Sequence, residues 1–108
     1  MPYEVVLTEG AVRDLDEIYN YIVEHDSPEK AEATLARIER AIVNLHTLPE
    51  RGTQPRELVA LGIREYREAF FKPYRAIYRI VEGRVVVLVI ADGRRDMQSL
   101  LARRLLDA

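Results

Sequence analysis

A mixed α/β (α+β) fold in the order β-α-α-β-β-β-α is what this 108-residue chain predicts, and three observations carry that expectation. Residues 74–81 and 84–91 are β-rich runs separated by Glu82-Gly83, a pair suited to a tight hairpin because glycine reaches φ > 0 without steric cost. The run after that turn, from Val85 to Ala91, is apolar with no alternation, so this strand needs a covering layer on each face. Helical periodicities stand on both sides of the strands, one pair before them and one helix after. The expected architecture is a small, mostly antiparallel sheet in one domain spanning residues 1–108. An N-terminal helical hairpin covers one face and a C-terminal helix the other.

Each element has its own warrant. Tyr3 to Thr8 reads as a short strand with Tyr3, Val5 and Leu7 on one face. Thr8 is a suitable helix N-cap, and Val12, Leu15, Ile18, Tyr19 and Ile22 then recur at helical spacing to about Glu24. Glu9, Asp14, Asp16 and Glu17 form an acidic opposite face. Ser27-Pro28 restarts the chain as a second helix, with serine as cap and proline at the first helical position. Ala31, Leu35, Ile38, Ile42 and Leu45 make a narrow stripe along it, and the short connection predicts an antiparallel hairpin over residues 9–48. Pro49 ends it, and PERGTQPREL reads as a surface loop carrying Arg51 and Arg56. Gly62 to Phe71 reads as a strand, and Lys72-Pro73 turns it into the hairpin. In the next strand Tyr74, Ala76, Tyr78 and Ile80 share one face, and Arg75, Ile77, Arg79 and Val81 the other. Asp96 can cap a last helix whose Met97, Leu100, Leu101 and Leu105 form an apolar stripe.

The totals bound the function classes. With 48% apolar and 31% charged residues the composition is that of a folded soluble domain rather than a disordered chain. No apolar run approaches a membrane span of roughly 20 residues, and the opening MPYEVVLTEG shows no secretory signal. There is no cysteine, hence no disulfide and no thiolate chemistry, which fits a cytoplasmic protein. The net charge of −2 conceals an asymmetry. Residues 1–50 carry 4 basic and 11 acidic side chains, whereas residues 51–108 carry 12 and 7. Arginine dominates the basic set, which suits bidentate recognition of phosphate or carboxylate and equally suits the codon usage of a GC-rich genome.

Two segments, YREAFFKPYRAIYRI (66–80) and VIADGRRDMQSLL (89–101), occur in order around the helical hairpin, and with YEVVLTEGAVRDLDEIYNYI and the LPERG loop they give the chain a family likeness. Over nearly its whole length it resembles the RelE/ParE superfamily of type II toxin–antitoxin toxins, most of all the ParE branch of plasmid stabilisation proteins. The resemblance implies a toxin held inactive by a cognate antitoxin, a small protein with a DNA-binding N-terminal domain whose C-terminal segment wraps the toxin. ParE-type toxins act on DNA gyrase; RelE-type toxins enter the ribosomal A site and cut mRNA. Arg75 matches the family's strand arginine and Arg95 the arginine after the last strand.

These residues are better suited to binding than to cutting. RNA cleavage by the 2′-hydroxyl needs a proton acceptor, a proton donor and cations for the phosphorane. Arg75, Arg94 and Arg95 offer cations, but arginine stays protonated and is a poor base. RelE-like nucleases place a tyrosine six residues after the second arginine, and here that position is Leu101. Their basic loop is lysine-rich, and this one offers Arg51 and Arg56. His25 and His46 stand near helix ends, where a capping or dipole role is the ordinary one, and neither has a partner at metal-ligand spacing. The chain is therefore expected to need no metal or cofactor and to have no confident catalytic residue.

The target-binding candidates are Arg75, Arg94, Arg95 and Arg56, with Arg79 and Tyr78 secondary. Structural roles compete with each. Arg75 and Arg79 can pair with Glu65 or Glu68 across the sheet, Tyr74 and Tyr78 can be core residues, and Asp96 can be only a cap. The leading expectation is a ParE-like inhibitor of gyrase that acts by binding. The alternatives are a ribosome-dependent mRNA interferase and an inactive member that only binds antitoxin. A basic sheet flank with apolar grooves beside an acidic hairpin would accept an amphipathic antitoxin segment of mixed charge.

Overall fold

The computed structural model describes residues 2–107; Met1 and Ala108, which the single-domain reading includes, lie outside the described residues. The chain forms β1 (Glu4–Leu7), α1 (Glu9–His25), α2 (Pro28–Val43), a short α3 (Arg56–Val59), β2 (Tyr66–Phe71), β3 (Tyr74–Val81), β4 (Arg84–Asp92) and α4 (Met97–Asp107). The caps follow the side-chain chemistry. Thr8 accepts from the amide of Ala11 at 3.1 Å, Ser27 from Lys30 at 3.1 Å and Asp96 from Ser99 at 3.2 Å.

The four strands stand in the order β1-β4-β3-β2, with β1 parallel to β4 and the other two pairings antiparallel. At the β3–β4 hairpin Glu82 has φ 49° and Gly83 φ 79°, the two left-handed residues that a primed two-residue turn requires. The twice-covered strand is β4, as its apolar run predicts. That run also conceals a β-bulge. Ile77 faces Val89 and Tyr78 faces Val87, so Leu88 is an extra residue that reverses the alternation. Val85, Val87 and, past the bulge, Ile90 join Ala76, Tyr78, Ile38 and Ile42 in the layer beneath α1 and α2. Leu88, Val89 and Ala91 join Ile77, Leu58, Met97, Leu100 and Leu101 in the layer beneath α3 and α4.

The structure departs from the sequence reading in four places. The second helix ends at Val43 rather than near residue 48 and continues as a 3-10 turn, Asn44–His46, that still buries Leu45. The loop after it holds a second 3-10 turn at Pro49–Arg51 and the one-turn α3, whose Leu58 is fully buried. The next strand starts at Tyr66 rather than Gly62. The inner face of α1 is rotated from the expected one. Val12 is 48% exposed, while Ala11 and Asp14 are buried.

Asp14 is buried for a reason. The four-residue β1 leaves β4 without a strand neighbour on that side beyond Val87, while β3 stays paired on the other, so the outward backbone groups there need other partners. Thr8 donates its amide to Val87 O at 3.1 Å, Arg104 donates to Leu88 O at 2.8 Å, and Ile90 donates its amide to Asp14 Oδ2 at 2.9 Å. Arg104 and Asp14 close the arrangement with two further bonds of 3.0 and 2.8 Å, tying α4 to α1 around the sheet edge.

A candidate binding site at the turn after the last strand

Residues 92–96 leave the buried end of β4 and enter α4, and Gly93 fixes their course. Its amide donates to Pro73 O at 2.7 Å. A Cβ there would sit 3.3 Å from Pro73 O and 3.4 Å from Arg75 Cδ, so the turn lies directly on the Arg75 stem. Asp92 then folds the turn on itself. It accepts from the Arg94 amide at 2.9 Å, from Arg94 Nε at 3.0 Å and from Arg94 Nη2 at 2.7 Å. These bonds, with the Arg94 guanidinium the largest cause, hold the Asp92 carboxyl below its ordinary pKa. Arg94 remains 85% exposed on its side chain. Arg95 is also exposed and, among the described residues, has no salt-bridge partner.

Arg94 and Arg95 line a cleft of about 600 Å³ between α1 and the end of β4, on the side of β4 that β1 does not reach. Ile18, Tyr21 and Ile22 of α1 line one side and Tyr74 and Ile90 the other, with Glu17 among the polar groups. Tyr21 is largely exposed and stacks on His25 with ring centroids 4.1 Å apart. His25 is bonded locally to Tyr21 O at 2.9 Å, and His46 is engaged with Val43 O, both at helix ends.

Arg75 lies on the other side of that turn and is differently placed. It is 6% exposed and held by two carboxylates. Its Nη1 and Nη2 donate to Glu57 at 2.9 and 2.8 Å, and its Nε and Nη2 to Glu68 at 3.0 and 2.6 Å. Hydrogen bonding to Arg75 lowers the Glu57 carboxyl to about 2, and hydrogen bonding to Glu57 raises the Arg75 guanidinium above its ordinary value. Arg56 shares a small polar depression with Arg75, Gly93, Thr53 and Gln54, but its own guanidinium is exposed, 3.9 Å from Glu57.

The remaining candidates are elsewhere. Tyr78 is fully buried, its hydroxyl donating to Pro49 O, and burial raises its pKa. Arg79 lies 5.8 Å over the Tyr66 ring, with its Nε buried and without a hydrogen-bond partner among the described residues. The structure thus gathers Arg94 and Arg95 at the cleft and Arg75 and Arg56 behind the turn, and leaves Tyr78 and Arg79 apart. Residues 92–96 meet both groups. In the sequence, Glu57, Asp92, Asp14 and Arg104 do not stand out as partners. Asp14 alone carried a signal, since it lies three residues after Ala11 and four before Ile18, on the inward stripe.

An α1–α2 hairpin and a C-terminal helix around this sheet, with an arginine turn beyond the last strand, is an arrangement that this chain shares with toxins of known structure. A mutant of the E. coli toxin RelE in the free state has the same fold, at TM-score 0.63 with 13% identity over 98% of this chain and 99% of that one. A chain of the chromosomal ParDE toxin–antitoxin system from P. aeruginosa aligns at TM-score 0.72 with 25% identity, covering 83% of this chain and 95% of that one. One from the RelBE2 toxin–antitoxin complex of Mycobacterium tuberculosis aligns at 0.62 with 26% identity, covering 85% and 99%. Toxin ParE3 of Caulobacter vibrioides is 30% identical over 100 residues, 93% of this chain and 96% of the relative. Residues 5–97 match the family of the ParE toxin of the type II toxin–antitoxin system, parDE, and the chain belongs to that family.

Proposed function

We propose that this ParE-family toxin acts in the cytoplasm by binding DNA gyrase and blocking its cycle, without cutting nucleic acid, and that Arg95 with Arg94 makes the decisive contact. The likeness to ParE-type toxins supports gyrase as the target. The observation that supports binding over cleavage is the state of Arg75. Its charge is already matched by Glu57 and Glu68, so it is not free to stabilise a phosphorane, and Leu101 is buried where RelE-like nucleases carry tyrosine. The exposed Arg95 keeps its charge available.

The partner that neutralises the toxin is an antitoxin, consistent with toxin–antitoxin systems among its structural relatives. In this reading an antitoxin segment with apolar side chains and at least one carboxylate lies in the cleft between α1 and β4. Its apolar groups meet Ile18, Tyr21 and Tyr74, and its carboxylate meets Arg95.

Induction in growing cells separates the target classes. A gyrase inhibitor produces a DNA-damage response with intact transcripts. Codon-placed breaks in mRNA, mapped by sequencing of 5′ ends, would overturn the reading in favour of a ribosome-dependent interferase.

A further inference from the structure

The strand arginine at position 75 is the residue that superfamily resemblance assigns to the target, yet the structure gives it a different task. We infer that Arg75, clamped by Glu57 and Glu68, is a positioning residue that sets the height and rigidity of the Gly93–Arg95 turn rather than a group that touches the target. The inference rests on the reading of Arg94 and Arg95 as the contact and specifies how they are held.

The geometry runs in one direction. Glu57 comes from α3 and Glu68 from β2, and each accepts two hydrogen bonds from the guanidinium. A planar fork held at four points has one orientation, so the aliphatic stem below it is also fixed. Gly93 packs on that stem, with its would-be Cβ 3.4 Å from Cδ and 3.5 Å from Cγ, and the Gly93 amide is bound to Pro73 O at 2.7 Å. Two residues later the side chain of Arg95 projects to solvent. The clamp therefore connects α3 and β2 to the turn through one side chain. It also gives the buried Leu58 a purpose, since that residue anchors the one-turn helix that carries Glu57.

A contact role and a positioning role predict opposite results from neutralising the glutamates. In the double variant Glu57→Gln/Glu68→Gln the Arg75 charge is released, so a contact residue would keep or gain effect. A positioning residue loses its anchor. Backbone amide exchange of the purified toxin, followed by NMR, reads this without any target. Exchange at the Gly93 and Arg95 amides is expected to rise about tenfold while that at Val87 and Val89 in β4 stays unchanged. Growth arrest per unit of folded toxin should fall by a similar factor. Glu68→Gln alone, which keeps both bonds to Glu57, should give a smaller change of the same sign and covers the case in which the double variant does not fold. Adding Arg75→Met to the double variant restores a packed, uncharged stem and should recover most of the lost arrest. Unchanged exchange at Gly93, full arrest by the double variant, or no recovery with methionine would each overturn the inference. Arg95→Ala on the wild-type scaffold tests the contact reading separately, because it leaves the clamp and the Gly93 exchange as they are.

Discussion

Replacing Arg104 by alanine strands a carboxylate inside the protein, and the loss should be large. Asp14 is 4% exposed on its side chain and Arg104 16%. Their two bonds, at 3.0 and 2.8 Å, are joined by Arg104 to Leu88 O at 2.8 Å. In Arg104→Ala the Asp14 carboxylate keeps the Ile90 amide but loses its counter-charge, and Leu88 O loses a donor. Breaking a buried pair from one side costs about 3–5 kcal/mol, a substantial part of the roughly 5–15 kcal/mol that stabilises a domain. Asp14→Asn retains an acceptor for Ile90 and leaves the charge on the longer, less buried partner, which can turn toward water, so about 1–2 kcal/mol is expected. Urea unfolding followed by circular dichroism, with the double variant completing the cycle, measures both losses and their coupling. A loss below about 1 kcal/mol for Arg104→Ala, or additive single losses, would show that the edge of β4 is held by something else.

Four further outcomes are expected. Glu57 is held near a pKa of about 2 by Arg75, against an ordinary value of 4.5. Its folded pKa is depressed, so its stabilising effect is full above pH 4.5 and is lost as pH falls toward 2; urea midpoints measured across that range should drop, and Glu57→Gln should flatten the drop. Gly83→Ala places a Cβ at φ 79° and should cost about 1–2 kcal/mol by thermal melting while leaving toxicity intact. Ile38→Ala, at a fully buried position under the sheet, should cost about 2–5 kcal/mol by the same measurement. Arg95→Ala should melt within about 0.5 kcal/mol of wild type yet relieve growth arrest, and equal arrest from this folded variant would remove Arg95 from the site.

The fold was legible because its signals are local and periodic. The α2 stripe, the Val85–Ala91 run, the Glu82-Gly83 turn and the caps Thr8, Ser27 and Asp96 all act where they stand in the chain. What escaped depends on long-range partners. The Leu88 bulge leaves no mark in a strand that is apolar on both faces, since a shift of alternation changes nothing visible in the sequence. The α3 turn is too short for periodicity to register. Asp14 reads as part of the acidic face of α1 because a carboxylate on a helix is ordinarily solvated, and only partners far along the chain, Arg104 and the Ile90 amide, make its burial favourable. The candidate site was half legible. The Arg94-Arg95 pair stands out as two adjacent arginines just past a buried strand, and Glu68 is one of the two cross-strand partners that the sequence offers Arg75. The second carboxylate, Glu57, comes from a one-turn helix within a segment whose Pro, Gly and Thr content reads as loop, so the neutralisation of Arg75 is not visible in the sequence.

Purified toxin added to DNA gyrase and relaxed plasmid tests the central claim most directly. Supercoiling should stop at near-stoichiometric toxin and resume with Arg95→Ala, while programmed ribosomes incubated with the same toxin keep their mRNA whole. Undisturbed supercoiling alongside cleaved mRNA would contradict the account.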